Sequence, residues 1–442
     1  MGTIKFINHA SVLISDGKNS ILTDPWYFGT AFDNGWSLLH QNSDSEIRDL
    51  LDEVNYIWIS HEHPDHFSVP FFKKYLEKIK KNKISIIFQK TKDQRVKKFL
   101  NINKLKVYEI DDKEEFEINN KFKIKVIKSD FYDSSLLLDI NGYKIFNLND
   151  CPISSKKEIM NFKKKYGSCD LLLTQFSYAA WKGGKSNIEW MVNSAQNKIH
   201  TLVDQSNILE AKFTIPFASY IYFSNDYNFY LNSYSNKIKE LSNIKNTKSN
   251  IIIMSPNEKQ DFNNIKQNNS SISFWENKYA DIKNLPKTNF DETVPLEDIY
   301  QQIDKYKKDV FKVNSKLLIF LISLIPFLGA FKDLKIKLID HNKIINFNFF
   351  KRVTLVNDQN NYNIEMHSKS FYFLVKNSFG FDTLTVNGCF DIRSKKSFNI
   401  FAKNFAIGNL NNLGIKLNAG IIFNYKIFLL FFEKVKKVND YL

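Results

Sequence analysis

Apolar runs and turns follow one another quickly over the first 24 positions. "IKF" (4–6), "SVLIS" (11–15) and "SILTD" (20–24) have the length and side-chain alternation of short strands. "DGKNS" (16–20), between the last two, is turn chemistry. The period then changes. In "SDSEIRDLLDEV" (43–54), Ile47, Leu50 and Leu51 fall on one helical face, Ser43 or Asp44 stands at the start, and Glu46 lies in the first turn. "YIWIS" (56–60) predicts a buried strand, and "VPFFKKYLEKI" (69–79) a helix with Pro70 in its first turn. "ISIIF" (84–88) predicts a strand and "TKDQRVKKFL" (91–100) a helix. Strand patterns recur at 106–110, 122–127, 134–140, 143–147 and 170–174, and helical ones at 154–165 and 187–212. Hairpins followed by strand–helix alternation predict an α/β fold layered around mixed sheets.

Farther on the pattern weakens. Residues 257–293 turn polar and read as a linker or surface excursion, followed by a helix at 295–308. From about 310, "RVTLV" (352–356), "SFYFLV" (370–375) and "TLTVNG" (383–388) read as strands of a smaller C-terminal α+β subdomain. The expected organisation is residues 1–260 as one domain, 261–309 as polar linker and helix, and 310–442 as the subdomain. Two apolar stretches stand out there: "LLIFLISLIPFLGAF" (317–331), interrupted by Pro326, and "IIFNYKIFLLFF" (421–432). Both are shorter than the roughly 20 residues a membrane span needs. They read as core helices, with a membrane-surface or partner-docking face as the alternative.

Length and charge alter this picture little. At 442 residues the chain exceeds one simple core, and its formal charge of +15 comes from lysines scattered along it. That distribution predicts a solvated surface and no specific nucleic-acid partner, although the field favours a small anionic substrate bearing phosphate or carboxylate. Cys151, Cys169 and Cys389 match no disulfide framework, zinc knuckle or redox motif, which predicts a reducing, cytoplasmic setting. The first residues show no basic stretch followed by an apolar core, so no secretory signal is expected.

The densest chemistry is "ISHEHPDHFS" (59–68), which holds three of the eight histidines. His61, His63, Asp65 and His66 form H-x-H-x-D-H directly after a predicted buried strand. Residues two apart on an extended segment point the same way, so His61 and His63 can share one ion. As the chain turns past Pro64, Asp65 and His66 can face a second ion about 3.5–4 Å away. Imidazole and carboxylate suit zinc or iron, with manganese possible, as one or two divalent ions.

"SHEHPDHFS" after "YIWI" resembles the metal motif of the metallo-β-lactamase superfamily. "ILTDPW" (21–26) resembles its early strand and turn, and "YKIFNLNDC" (143–151) the strand that ends in a carboxylate bridging two ions. The resemblance implies an αββα sandwich, assigns that carboxylate to Asp150, and puts Asp24 beneath the metal loop. It also puts His9, in "NHASVLI", near the active-site face, so that Asp65, His66 and His9 are the catalytic candidates. "TDPWYFGTAFDNGWSLL" (23–39), "KIFNLNDC" and "IPFASYIYFSND" (215–226) further resemble the catalytic domain of the CMP-N-acetylneuraminate hydroxylase family, over roughly residues 1–260. They are similar, more loosely, to phosphodiesterase-like and lactonase-like branches.

The chain departs from that pattern in three places. The stretch before the bridging carboxylate has no third histidine; Asp130 or Asp133 are the substitutes on offer. A late histidine is also missing, and Asn225 and Asp226 stand in that region as substrate or site candidates. The cysteine–histidine ligands of the hydroxylase family's Rieske module have no counterpart here. "SYAAWKGGKSN" (177–187) reads either as a connector or as a substrate loop, in which Trp181 would stack on a ring and Lys182 and Lys185 would pair with an anion. His40, His200, His341 and His367 read as structural.

Three functions follow as expectations. The main one is a hydrolase in which a metal-activated water attacks a small anionic substrate and Asp65 orients that water. The alternative is a di-iron, oxygen-dependent oxidase or hydroxylase served by a separate reductase. The third is a non-catalytic metal- or substrate-binding module. The C-terminal subdomain is expected to restrict the cleft, to dimerise, or to touch a membrane peripherally.

Overall fold

In the computed structural model, residues 2–129, 133–412 and 414–418 are described. Asp130 and the apolar stretch 421–432 lie outside these.

Two seven-stranded mixed sheets form the body of the N-terminal part. The first runs Lys259–Asp261, Thr3–Asn8, Ser11–Ser15, Ser20–Thr23, Tyr56–Ile59, Ser85–Gln89, Val107–Ile110. Its hairpin half is antiparallel, and pairing becomes parallel from Ser20–Thr23 onward. The second runs Asn250–Ile251, Phe213–Phe217, Leu171–Gln175, Tyr143–Asn149, Ser134–Ile140, Phe122–Lys128, Phe116–Asn119. The central strands are apolar on both faces, as a sheet covered on both sides requires. In Tyr56–Ile59, Trp58 packs between the sheets with Val126, Leu136 and Leu173, whereas Ile57 and Ile59 pack outward on Leu50, Phe71 and Ile79 of the covering helices. On the far side, Phe146 and Leu172 pack against Ile159 and Phe162 of helix Lys156–Tyr166. The result is the αββα sandwich.

Local signals explain most elements. Helix Asp44–Asp52 starts with a reciprocal capping box between Ser43 and Glu46, and helix Lys156–Tyr166 with one between Ser155 and Glu158. The helix expected over 69–79 is two helices, Val69–Lys74 and Leu76–Lys81, broken at Tyr75. The polar region after 257 contributes the edge strand Lys259–Asp261 and helix Asn269–Ala280. Trp275 of that helix is buried against Tyr220, their rings stacked at 4.2 Å.

A five-stranded sheet with helices around it makes the C-terminal α+β subdomain. Two expected strands there are helices. "SFYFLV" lies in helix Ser368–Lys376, where Phe371, Leu374 and Val375 bury one face, and "TLTVNG" lies in helix Gly380–Asn387. Short β-branched and aromatic runs suit either state, and here burial of a 3.6-period face decided. Gly388 ends the second helix in the left-handed conformation, φ 70°, which a side chain would disfavour. The reading of 317–331 as a core helix also needs correction. Helix Lys316–Leu324 buries Ile319 but leaves Leu317, Phe320, Leu321 and Leu324 between 44% and 65% exposed. Among the described residues, no helix is long and apolar enough to cross a membrane.

Candidate metal centre

Strand Tyr56–Ile59 ends in a tightly held turn. The Ser60 carbonyl accepts hydrogen bonds from Gln89 Nε2 (2.9 Å) and from Ser134 Oγ of the opposite sheet (2.6 Å). The Ser60 N–H donates to Asp24 Oδ1 at 2.7 Å. The next turn closes through His66 N–H and Phe67 N–H, both donating to the His63 carbonyl, before helix Val69–Lys74 starts at its Ser68 cap. Four side chains of this turn, His61, His63, Asp65 and His66, are thereby fixed around one cleft. His9, Asp24 and Asn149 around it all sit at positive φ (29°, 35° and 57°), so the backbone accepts strain where it aims these side chains.

Two donor groups result. His9, Asp65 and His66 form one, His61, His63 and Asp150 the other, and within each the ligand atoms lie within 4.8 Å of one another. In the first, Asp65 Oδ2 is 3.3 Å from His9 Nε2 and 3.2 Å from His66 Nε2. In the second, His61 Nε2 is 2.8 Å from His63 Nδ1. Asp150 Oδ2 lies 3.6 Å from His66 Nε2 and 3.9 Å from His61 Nε2, between the two groups. Asp133 Oδ1 is 3.7 Å from His61 Nε2.

The outward nitrogens of His61, His63 and His66 are spoken for. His66 Nδ1 faces Asp24 Oδ2 at 3.0 Å, and Asp24 Oδ2 also accepts from Asn149 Nδ2 at 2.8 Å. His61 Nδ1 meets Ser60 Oγ at 2.9 Å, and His63 Nε2 meets Asp382 Oδ2 at 3.1 Å. Partners of this kind set the tautomer of a ligating imidazole. Asp65 Oδ1 and Asp150 Oδ1 are buried with no hydrogen-bond partner, and His66 Nε2 has only the Asp65 and Asp150 carboxylates beside it. Each such atom left unpaired costs about 1–3 kcal/mol. Their convergence fits one or two divalent cations with mixed nitrogen and oxygen ligands.

The electrostatics agree. Burial disfavours charge on every member, yet the carboxylates of Asp65, Asp150 and Asp24 hold the His66 pKa well above the usual imidazole range. Burial keeps His61 neutral, its pKa well below that range. Burial and the charge on Asp150 push the Asp133 carboxyl up to about 8. Against burial, the imidazoles of His66 and His61 hold Asp150 low.

A prediction follows for the metal-free protein. Asp133 keeps a proton after folding that the unfolded chain gives up near its ordinary value of 3.8, and His66 keeps one past its ordinary 6.5. Below about 6.5 the depressed imidazoles of His61 and His9 offset this, because the unfolded chain protonates them and the folded one does not; above it the folded state binds more protons, so stability falls as pH rises from about 7 to about 8. Saturating divalent metal, which replaces those protons, flattens the profile. Thermal unfolding across this range, with and without metal, checks both parts.

The other expected site residues fall elsewhere. Asn225 is buried, its side chain accepting from Tyr227 N–H, and Asp226 is exposed 3.5 Å from Lys287; neither joins a donor group. Trp181 is 4% exposed and stacks on both Phe390 and Phe398 at 4.7 Å, so its ring belongs to the C-terminal core. Lys185 is exposed above the Tyr230 ring. Lys182 is half-buried, and burial together with the nearby Lys198 lowers its pKa to about 8. Lys198, absent from the sequence reading, donates to Gln175 and feels the charges of Asp150 and Asp133. His40, His341 and His367 make packing or backbone contacts, His367 as a helix cap.

Residues 3–145 match the family described as beta-lactamase superfamily domain. The chain has the metallo-β-lactamase superfamily fold. It is homologous to cytidine monophosphate-N-acetylneuraminic acid hydroxylases, at 27% identity over 234 residues to that of Danio rerio and 26% over 309 residues to that of Xenopus laevis. Those matches cover 49% and 66% of this chain but 38% and 47% of the relatives, so the chain matches less than half the length of either. Among solved structures it is similar to CmlA, a diiron beta-hydroxylase from Streptomyces venezuelae, at 12% identity and a TM-score of 0.37, covering 49% of this chain and 44% of that one. Its two donor groups make a candidate dinuclear metal site on the metallo-β-lactamase fold.

Proposed function

We propose that this metallo-β-lactamase-fold protein is a di-iron, oxygen-dependent oxidase or hydroxylase of a small anionic substrate, drawing electrons from a separate donor. The observation that carries the reading is Asp133 beside His61. With Asp65 and Asp150 it makes the donor set rich in carboxylate, the ligation of oxygen-activating di-iron sites in other folds. Similarity to the hydroxylases supports the same reading over the hydrolytic one.

When bound, the iron pair supplies oxygen activation; the protein supplies everything around it. Asp24, Ser60 and Asp382 orient the imidazoles so that lone pairs face the cleft. Asp65, with one oxygen between His9 and His66 and the other unpaired, is placed to accept or return a proton. Lys198, which feels the charges of Asp150 and Asp133, places positive charge near the acidic centre with Lys182 close to it, where a carboxylate or phosphate of the substrate would be drawn in.

The test is metal analysis and oxygen uptake on protein purified without chelator. About two irons per chain, with oxygen consumed when a reductant and an anionic substrate are supplied, is the expected result. Zinc or manganese occupancy with turnover of phosphodiesters or lactones would overturn it in favour of hydrolysis. Full metal with neither activity would leave a binding module.

A further inference from the structure

We infer that Asp382, on the C-terminal subdomain, is a positioning residue for the metal ligand His63; this rests on the metal-centre reading above. His63 turns Nδ1 toward His61 Nε2, at 2.8 Å, and Nε2 away from the cleft toward Asp382 Oδ2, at 3.1 Å. A carboxylate at Nε2 holds the proton there and leaves the Nδ1 lone pair for the ion. The same arrangement serves His66, whose outward nitrogen faces Asp24. Asp24 comes from the same sheet as the metal loop, whereas Asp382 comes from the far end of the chain.

The geometry is built in. Asp382 lies in the first turn of helix Gly380–Asn387, where the helix dipole favours a carboxylate. That helix is docked on the N-terminal part at its other end. Trp181 N–H donates to the Thr385 carbonyl (3.0 Å), Asn228 Nδ2 to the Asn387 carbonyl (2.6 Å), and Asn387 Nδ2 to the Phe32 carbonyl (3.1 Å). Gly380 lets the helix approach its predecessor: a Cβ there would stand 2.4 Å from the Leu374 carbonyl oxygen. The Phe32 ring meets His63 edge-on at 5.5 Å, closing a second side of the imidazole. Phe32 contacts both the helix and the imidazole, and Asp382 is where the two meet. The C-terminal subdomain thus completes the environment of one donor group.

Cobalt(II) binding to the full chain tests this, read by chelator competition and by visible absorption of the bound ion. Asp382→Ala is expected to weaken one of two binding events by about 10–100-fold, the scale of losing such a partner, and to leave the other unchanged. Asp382→Glu is expected to restore much of the loss. The Asp382 side chain is 39% exposed, so unfolding of the metal-free variants should stay within about 2 °C of the parent, as for an ordinary surface change. Asp382→Asn, with the same shape, carries the test if the alanine variant does not fold. Parental affinity at both events in folded Asp382→Ala or Asp382→Asn protein overturns the inference while leaving the metal centre standing. A parent protein that takes up no cobalt overturns the metal centre, and this inference with it.

Discussion

Asp150→Ala protein should hold at most one ion and lose turnover by more than about 10²-fold, since changes one layer behind a metal ligand already cost 10–100-fold. Asp150 is reached by both donor groups. Its Oδ2 is 3.6 Å from His66 Nε2 on one side and 3.9 Å from His61 Nε2 on the other, and its Oδ1 has no other partner. Removing it leaves the two imidazoles facing each other across a cleft with nothing to join two ions. Asp65→Asn is the informative comparison. Asp65 belongs to the group with His9 and His66, so that variant should lose one ion and keep the His61–His63 one. Metal content per chain, measured beside steady-state oxygen uptake, separates the two variants.

The largest effect on stability is expected at Asp24. Its two oxygens take the Ser60 N–H, His66 Nδ1 and Asn149 Nδ2, all within 3.0 Å, and the residue is 1% exposed. Asp24→Ala would leave the buried His66 Nδ1 and the Asn149 amide without their carboxylate, while Asp65 and Asp150 still face His66 Nε2. Breaking a buried pair in this way costs about 3–5 kcal/mol. In a chain of this size that corresponds to a fall in Tm of roughly 3–5 °C. Affinity for the ion held by His66 should fall as well, by about 10–100-fold, because Asp24 fixes its tautomer. A Tm near that of the parent would mean that the Asp24 network contributes little to the folded state.

The metal loop was readable because its ligands sit within six positions, after a strand whose apolar run announced burial on both faces. The sandwich was readable for a related reason: its hairpins and capped helices carry their signals locally. Asp150 and His9 needed the family resemblance, since nothing around either residue points to a metal. The reading failed where long-range packing decided. Residues 370–375 and 383–388 have strand composition but bury a helical stripe. Trp181 beside Lys182 looked like a ligand loop, yet its ring fills the core of a subdomain more than 200 positions downstream. Asp382 could not be found from sequence at all. An isolated carboxylate in an amphipathic stretch is normally solvated, and only tertiary structure brings it to His63.

The two sheets meet at this cleft with unequal contributions. The first supplies the imidazoles at 9, 61, 63 and 66, and the second answers with the carboxylates at 133 and 150. An ion held between them is a rivet through the seam of the sandwich. Every occupancy-dependent increment of stability, which grows with the logarithm of free metal, is then applied where the two layers would first part. Chelation should accordingly be felt as faster amide exchange and easier proteolysis along strands Tyr56–Ile59 and Tyr143–Asn149, well beyond the side chains that touch the ion.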